Sequence, residues 1–137
     1  MSSHELDIQA ATDKLTEVLD FVNEQLEKAD CPPRTLIQIN VAVEEIFANI
    51  ASYAYAPGTG RAVIRVEVEG EPPTATITFI DSGVPYDPLA KADPDVTLSA
   101  QERQIGGLGI YMVKKSMDDV LYEYKDGKNI LKLRKKL

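Results

Sequence analysis

The apolar residues of this chain change their period partway along, and that change limits the fold more than any other feature. Leu15, Val18, Leu19, Val22 and Leu26 recur at helical spacing, which predicts an amphipathic helix from Thr12 to Ala29, closed by Asp30-Cys31-Pro32-Pro33. Leu36, Ile39, Val43, Ile46, Phe47 and Ile50 mark the buried stripe of a second helix that runs to about Tyr55 and stops at Pro57-Gly58-Thr59-Gly60. From Arg61 the period drops to two. Ala62, Ile64, Val66 and Val68 alternate with Arg65, Glu67 and Glu69, and the β-branched and aromatic run Thr74 to Ile80 follows across Gly70-Glu71-Pro72-Pro73, so the two segments predict a hairpin.

Glu5 to Gln9 alternates as a short first strand, and Val120 to Tyr124 and Asn129 to Lys135 predict a last hairpin joined at Asp126-Gly127. Between Asp81 and Ile105 periodicity disappears, and Gly106-Gly107-Leu108-Gly109 then opens a helix that reaches Met117. A structureless stretch of this length is uncommon in a compact domain and is usually a functional lid. The order β-α-α-β-β-loop-α-β-β predicts an α+β two-layer sandwich, a mostly antiparallel sheet with its helices on one face. With 137 residues there is room for one such core and no second domain.

Composition removes several kinds of chemistry. One cysteine, Cys31, and one histidine, His4, exclude an internal disulfide, a zinc cluster and Ser-His-Asp or Cys-His catalysis by count. A net charge of -7 argues against direct nucleic-acid binding, which needs clustered Lys and Arg. The charge is also uneven: residues 1–113 carry -11 and residues 114–137 carry +4, which predicts a solvated last strand whose lysines guard a sheet edge. No apolar run approaches the ~20 residues of a membrane span, and the N-terminus lacks the pattern of a signal peptide, so a cytoplasmic chain is expected.

Three places could carry chemistry. Glu45 and Asn49 lie one turn apart at the flank of the second helix's apolar stripe, with Glu44 pointing away. A carboxylate beside a carboxamide can accept a proton or orient a water while the amide oxygen ligates a hard cation, although a solvated helix face would show the same pair. Asp81-Ser82-Gly83 follows a strand, where a carboxylate can take a hydrogen bond from an exocyclic amine and a glycine lets a flat ring approach the backbone; a plain turn uses the same residues. Gly106-Gly107-Leu108-Gly109 stands at a loop-to-helix junction, where free N–H groups favour a phosphate. It matches neither the dinucleotide fingerprint, since Met112 replaces a third glycine, nor a P-loop.

Taken together and in this order, Glu45 with Asn49, Asp81 with Gly83, a long lid and Gly106-Gly107-Leu108-Gly109 resemble the N, G1 and G2 boxes of the GHKL ATP-binding superfamily. Within it the chain is similar to the small anti-sigma-factor serine kinases. The likeness extends through Asp81-Ser82-Gly83-Val84-Pro85-Tyr86-Asp87-Pro88, Glu102-Arg103-Gln104-Ile105 and Gly127-Lys128-Asn129-Ile130-Leu131.

The resemblance implies a Bergerat ATP-binding fold that fills residues 1–137, with the lid at about 86–105. It implies that Asn49 ligates Mg²⁺ on the ATP phosphates, that Glu45 is the general base for a serine hydroxyl, that Asp81 receives the adenine amino group, and that Gly83 lets the ring pack on backbone. Gly106, Gly107, Leu108 and Gly109 would surround the phosphates, with the N–H groups of Gly107 and Gly109 exposed to them. Arg103, the guanidinium of the lid, would reach the γ-phosphate or stay a solvated lid charge. Implied partners are a STAS-domain anti-sigma-factor antagonist bearing the target serine and a sigma factor or other regulator; a homodimer follows by analogy with relatives. An alternative is an ATP-binding, partner-sequestering module without kinase activity. Two departures stand out. Tyr53 replaces a histidine of the sporulation-type members, and the last strand lacks a threonine that many members use to bridge water to adenine.

Overall fold

The computed structural model describes residues 2–90 and 107–137. β1 (Ser2–Gln9) leads through a short 3₁₀ turn, Thr12–Lys14, into α1 (Leu15–Lys28); α2 (Pro33–Asn49) returns antiparallel to it. β2 (Arg61–Glu69), β3 (Thr74–Asp81), α3 (Gly107–Ser116), β4 (Asp119–Lys125) and β5 (Lys128–Lys136) complete the order. The sheet has the order β1-β2-β3-β5-β4, every pairing is antiparallel, and the helices lie against one face. The expected α+β sandwich is therefore what forms.

Strand parity decides which side chains meet the helices. Ile64 and Val66 on β2, Ile77 and Phe79 on β3, and Leu133 on β5 are fully buried against Val18, Val22 and Leu26 of α1 and Ile39, Val43 and Phe47 of α2. The same alternation carries Asp81 and Asn129 to the end of this apolar file, where they face each other in the β3–β5 register. On the opposite face Arg61 pairs with Asp7 at 2.7 Å and Arg65 with Glu5 at 3.1 Å across β1 and β2. Exposed pairs of this kind contribute ~0–1 kcal/mol each, so they tune register more than they hold the fold.

Two sequence expectations change. The second helix does not run uniformly to Tyr55: its α-helical part ends at Asn49, and Ile50–Ala54 continue as a π turn, which takes one more residue per turn. The basic last strand is not at the sheet edge either. β5 lies between β3 and β4, and β4 is the edge. Its charges are accommodated individually: Lys135 donates to the Ser116 carbonyl at 2.7 Å, at the C-terminal end of α3, where a cation meets the negative end of the helix dipole. Asp126 and Gly127 both adopt positive φ (54° and 76°), as a two-residue hairpin turn requires.

Candidate nucleotide site

The site is assembled where the C-terminal end of α2, the C-terminal end of β3, the N-terminal end of α3 and the start of β5 converge. α2 arrives at this end of the sheet and α3 departs from it, so the two helices run antiparallel beside each other. This juxtaposition brings Glu45 to Gly109. A methyl group built on Gly109 would overlap both carboxylate oxygens of Glu45, so the absence of a side chain there is what seats the acid against α3. Asn49, one turn on, directs its Nδ2 toward Glu45 Oε1 at 3.5 Å, a long contact that does not use the amide oxygen.

Asn49 also borders a half-open cavity of about 130 Å³, whose other walls include Ile46, Ile50, Ala54, Phe79, Asp81, Val84, Tyr122 and Leu131. A dry apolar cavity of ~150 Å³ accepts a benzene ring, so this one is on the scale of an aromatic edge. Its lining is mainly apolar, with Asp81, only 6% exposed, among the few polar groups. That combination is typical of a site in which a few fixed polar groups orient a flat ligand.

Gly83 lies against the backbone of Ala54: Val84 N–H donates to the Ala54 carbonyl at 2.9 Å, and a Cβ on Gly83 would run into the Ala54 carbonyl and methyl. The turn after β3 is thereby bound to the π turn after α2, and Asp81 Oδ1 takes the Gly83 N–H at 2.9 Å. Tyr55 strengthens the same corner by donating to the Arg61 carbonyl at 2.6 Å and accepting from Ser82 N–H at 2.8 Å.

The sequence reading missed Tyr55, and it missed Asn129 as well. Asn129, 7% exposed, donates from Nδ2 to Asp81 Oδ1 at 3.0 Å and to the Val84 carbonyl at 2.9 Å. Its Oδ1 accepts from Tyr86 N–H at 3.1 Å and from the Tyr122 hydroxyl. Burial, joined by the nearby Asp87 and Asp81 carboxylates, pushes the Tyr122 phenol up; a hydrogen bond with the Tyr86 backbone pulls it back in part. The phenol therefore keeps its proton and remains a donor.

Of the residues singled out in the sequence, Glu45, Asn49, Asp81, Gly83 and Gly109 gather at this one end of the molecule. Gly107 begins α3, and Leu108 is described as helical backbone. Arg103 and the rest of 91–105 in the expected lid, and Gly106 after it, lie outside the described residues. Among the described residues no group of three or more His, Cys, Asp or Glu could hold a metal ion. The donor set still suits Mg²⁺: the Asn49 amide oxygen is a hard ligand, and Mg²⁺ takes most of its remaining ligands from phosphates and water. No helix among the described residues is long and apolar enough to cross a membrane.

Comparisons with known proteins bear on the family and the fold. The histidine kinase-like ATPase domain profile matches residues 8–135. The chain is 26% identical to the serine/threonine-protein kinase BtrW of Bordetella bronchiseptica over 129 residues, which is 94% of this chain and 89% of that protein. Among solved structures it resembles the RsbU and RsbW domains of a Mycobacterium tuberculosis protein, with a TM-score of 0.71, 15% identity, all of this chain covered and 33% of that one. It also resembles the SiaB–SiaC complex of Pseudomonas aeruginosa, with a TM-score of 0.59, 15% identity, and 98% and 89% coverage. At such identities these two likenesses describe the fold.

Proposed function

Since the chain belongs to the histidine kinase-like ATPase domain family, we propose that it is an ATP-dependent protein serine kinase that works by partner switching: it transfers phosphate to a serine of a STAS-type anti-sigma-factor antagonist and sequesters a sigma factor or another regulator in the cytoplasm. The observation that carries this reading is the seat of Glu45. Binding a nucleotide needs the Asp81 cavity and the Asn49 amide, but it gives no task to a carboxylate held against Gly109 beside them.

In this reading the apolar cavity takes the adenine edge, and Asp81 accepts a hydrogen bond from its amino group. The Asn49 amide oxygen holds Mg²⁺, which supplies charge neutralisation on the phosphates. The N-terminus of α3 offers its backbone N–H groups to the same phosphates. Glu45 accepts the proton of the partner's serine hydroxyl as its oxygen bonds to the γ-phosphorus and the bridging oxygen leaves with ADP. Positioning and charge stabilisation supply most of the rate in such a transfer, and the base about 10²–10⁴-fold.

The test is incubation with Mg-ATP and candidate STAS proteins of the same genome, with phosphoserine read by mass spectrometry. Transfer is expected with the native chain and lost with Glu45→Gln, while nucleotide binding persists. Normal nucleotide affinity without transfer to any STAS candidate would instead establish a binding-only module.

A further inference from the structure

The network around Asn129 determines more than local order. Asp81 Oδ1 already accepts two hydrogen bonds, from Gly83 N–H and from Asn129 Nδ2, which is the capacity of a carboxylate oxygen. Among the described residues Oδ2 accepts none, and Asp81 borders the cavity. The Asn129 amide cannot turn over. Its Oδ1 faces two donors, Tyr86 N–H and the Tyr122 hydroxyl, and its Nδ2 faces three acceptors, Asp81 Oδ1, the Val84 carbonyl and, at 3.5 Å, the Gly83 carbonyl. A flipped amide would set like against like at Tyr86 N–H, Asp81 Oδ1 and the Val84 carbonyl, in a place only 7% exposed, where unmade hydrogen bonds are costly.

We propose that Asn129 is the positioning residue that sets base selectivity: by requiring an oxygen at position Oδ1 of residue 81, it makes Oδ2 the atom that reads the base. The proposal rests on the nucleotide reading above. A fixed carboxylate oxygen in the cavity selects a purine with an amino donor at C6 and repels one with a carbonyl there. The same logic gives a consequence that packing alone does not. With asparagine at 81, Gly83 N–H and Asn129 Nδ2 still demand oxygen at Oδ1, so the new amide NH₂ must face the cavity and the preference must pass to a 6-oxo purine.

The experiment compares ATP and inosine triphosphate, each with Mg²⁺, by calorimetric titration of the full chain. The native protein is expected to favour ATP by about 10- to 100-fold, the range of one hydrogen bond to a charged group. Asp81→Asn preserves shape and the Oδ1 bonds, and it should invert that preference. Asn129→Leu should narrow the native preference to within about 5-fold, and in combination with Asp81→Asn it should shrink the inversion, because Gly83 N–H alone then holds residue 81. If Asn129→Leu does not fold by circular dichroism, Asn129→Ser takes its place in both arms. Loss of ATP affinity without a gain for inosine triphosphate would overturn the proposal and leave the nucleotide reading intact. A native chain that binds neither triphosphate would overturn both.

Discussion

Gly109→Ala separates the fold from the chemistry, because the new methyl group would meet the far end of a flexible side chain rather than backbone. It would occupy the space now filled by the Glu45 carboxylate. The helix itself benefits: replacing glycine with alanine inside a helix stabilises it by about 0.5–1 kcal/mol. Against this stands the displacement of Glu45, which costs about 0.5–1.5 kcal/mol if the side chain is forced off a rotamer and less if another staggered well is open. The two terms nearly cancel, leaving stability within about 1 kcal/mol of the native chain. For a domain of this size that is a melting shift of no more than about 4 °C. Transfer depends on the position of the base, so its rate should fall by about 100-fold or more. Nucleotide affinity should change less than transfer, since alanine keeps the backbone N–H of residue 109 and Glu45 does not line the cavity. Thermal unfolding, nucleotide titration and phosphoserine formation, measured on one preparation, check all three. A melting temperature lower by about 10 °C would show that the contact is not with a yielding chain end. A native transfer rate in the folded variant would show that Glu45 does not act from this seat.

Gly83→Ala is the contrasting case: its methyl would press on the Ala54 carbonyl and Cβ, and overpacking against backbone should cost about 1–3 kcal/mol in a denaturant titration, with nucleotide affinity falling as the cavity wall shifts. Asn49→Ala should make nucleotide binding insensitive to Mg²⁺; titrations with the metal and with a chelator then coincide, whereas a persisting difference would refute the ligand role. The Tyr122 phenol is raised on folding, so its contribution to stability is complete below its unfolded value near 10 and is lost as pH rises through the higher folded value. An ultraviolet titration of the native chain against Tyr122→Phe should therefore show one phenol ionising later than an unfolded tyrosine. Burial likewise raises the Cys31 thiol, and its alkylation at pH 8 should be slower in the folded chain than in denaturant.

The layers and the faces of the elements could be read from the sequence because period encodes them locally: Val18, Val22 and Leu26 repeat on one side of a helix, and Ile77, Phe79 and Asp81 on one side of a strand. Glu45 and Asn49 were legible for the same reason, as neighbours on a single turn. Asn129 was not. Its role depends on β5 inserting between β3 and β4, a pairing between segments far apart in the chain, and no local pattern distinguishes that from a last strand at the edge. The Gly109 seat was half legible: the glycines marked a helix start, but only the antiparallel packing of α3 beside α2 shows that the missing side chain makes room for Glu45. Tyr55 was hidden by the π turn before it, since the shift of phase moves its ring away from where a regular helix would carry it.

The bond from Asn129 to Asp81 joins residues 48 apart in the chain. Every other neighbouring pair in the sheet except β1–β2 is a hairpin that its own short turn can close, whereas β3 and β5 pair across a long stretch of chain that includes α3 and β4. Closing a loop of that length costs roughly 3 kcal/mol of chain entropy before any contact is made. The cavity therefore sits on a seam between the N-terminal body and a C-terminal α3–β4–β5 unit. A ligand held there would act as a fastener across the seam, so occupancy of the site would be felt as slower hydrogen exchange in β5, along the whole length of its pairing with β3.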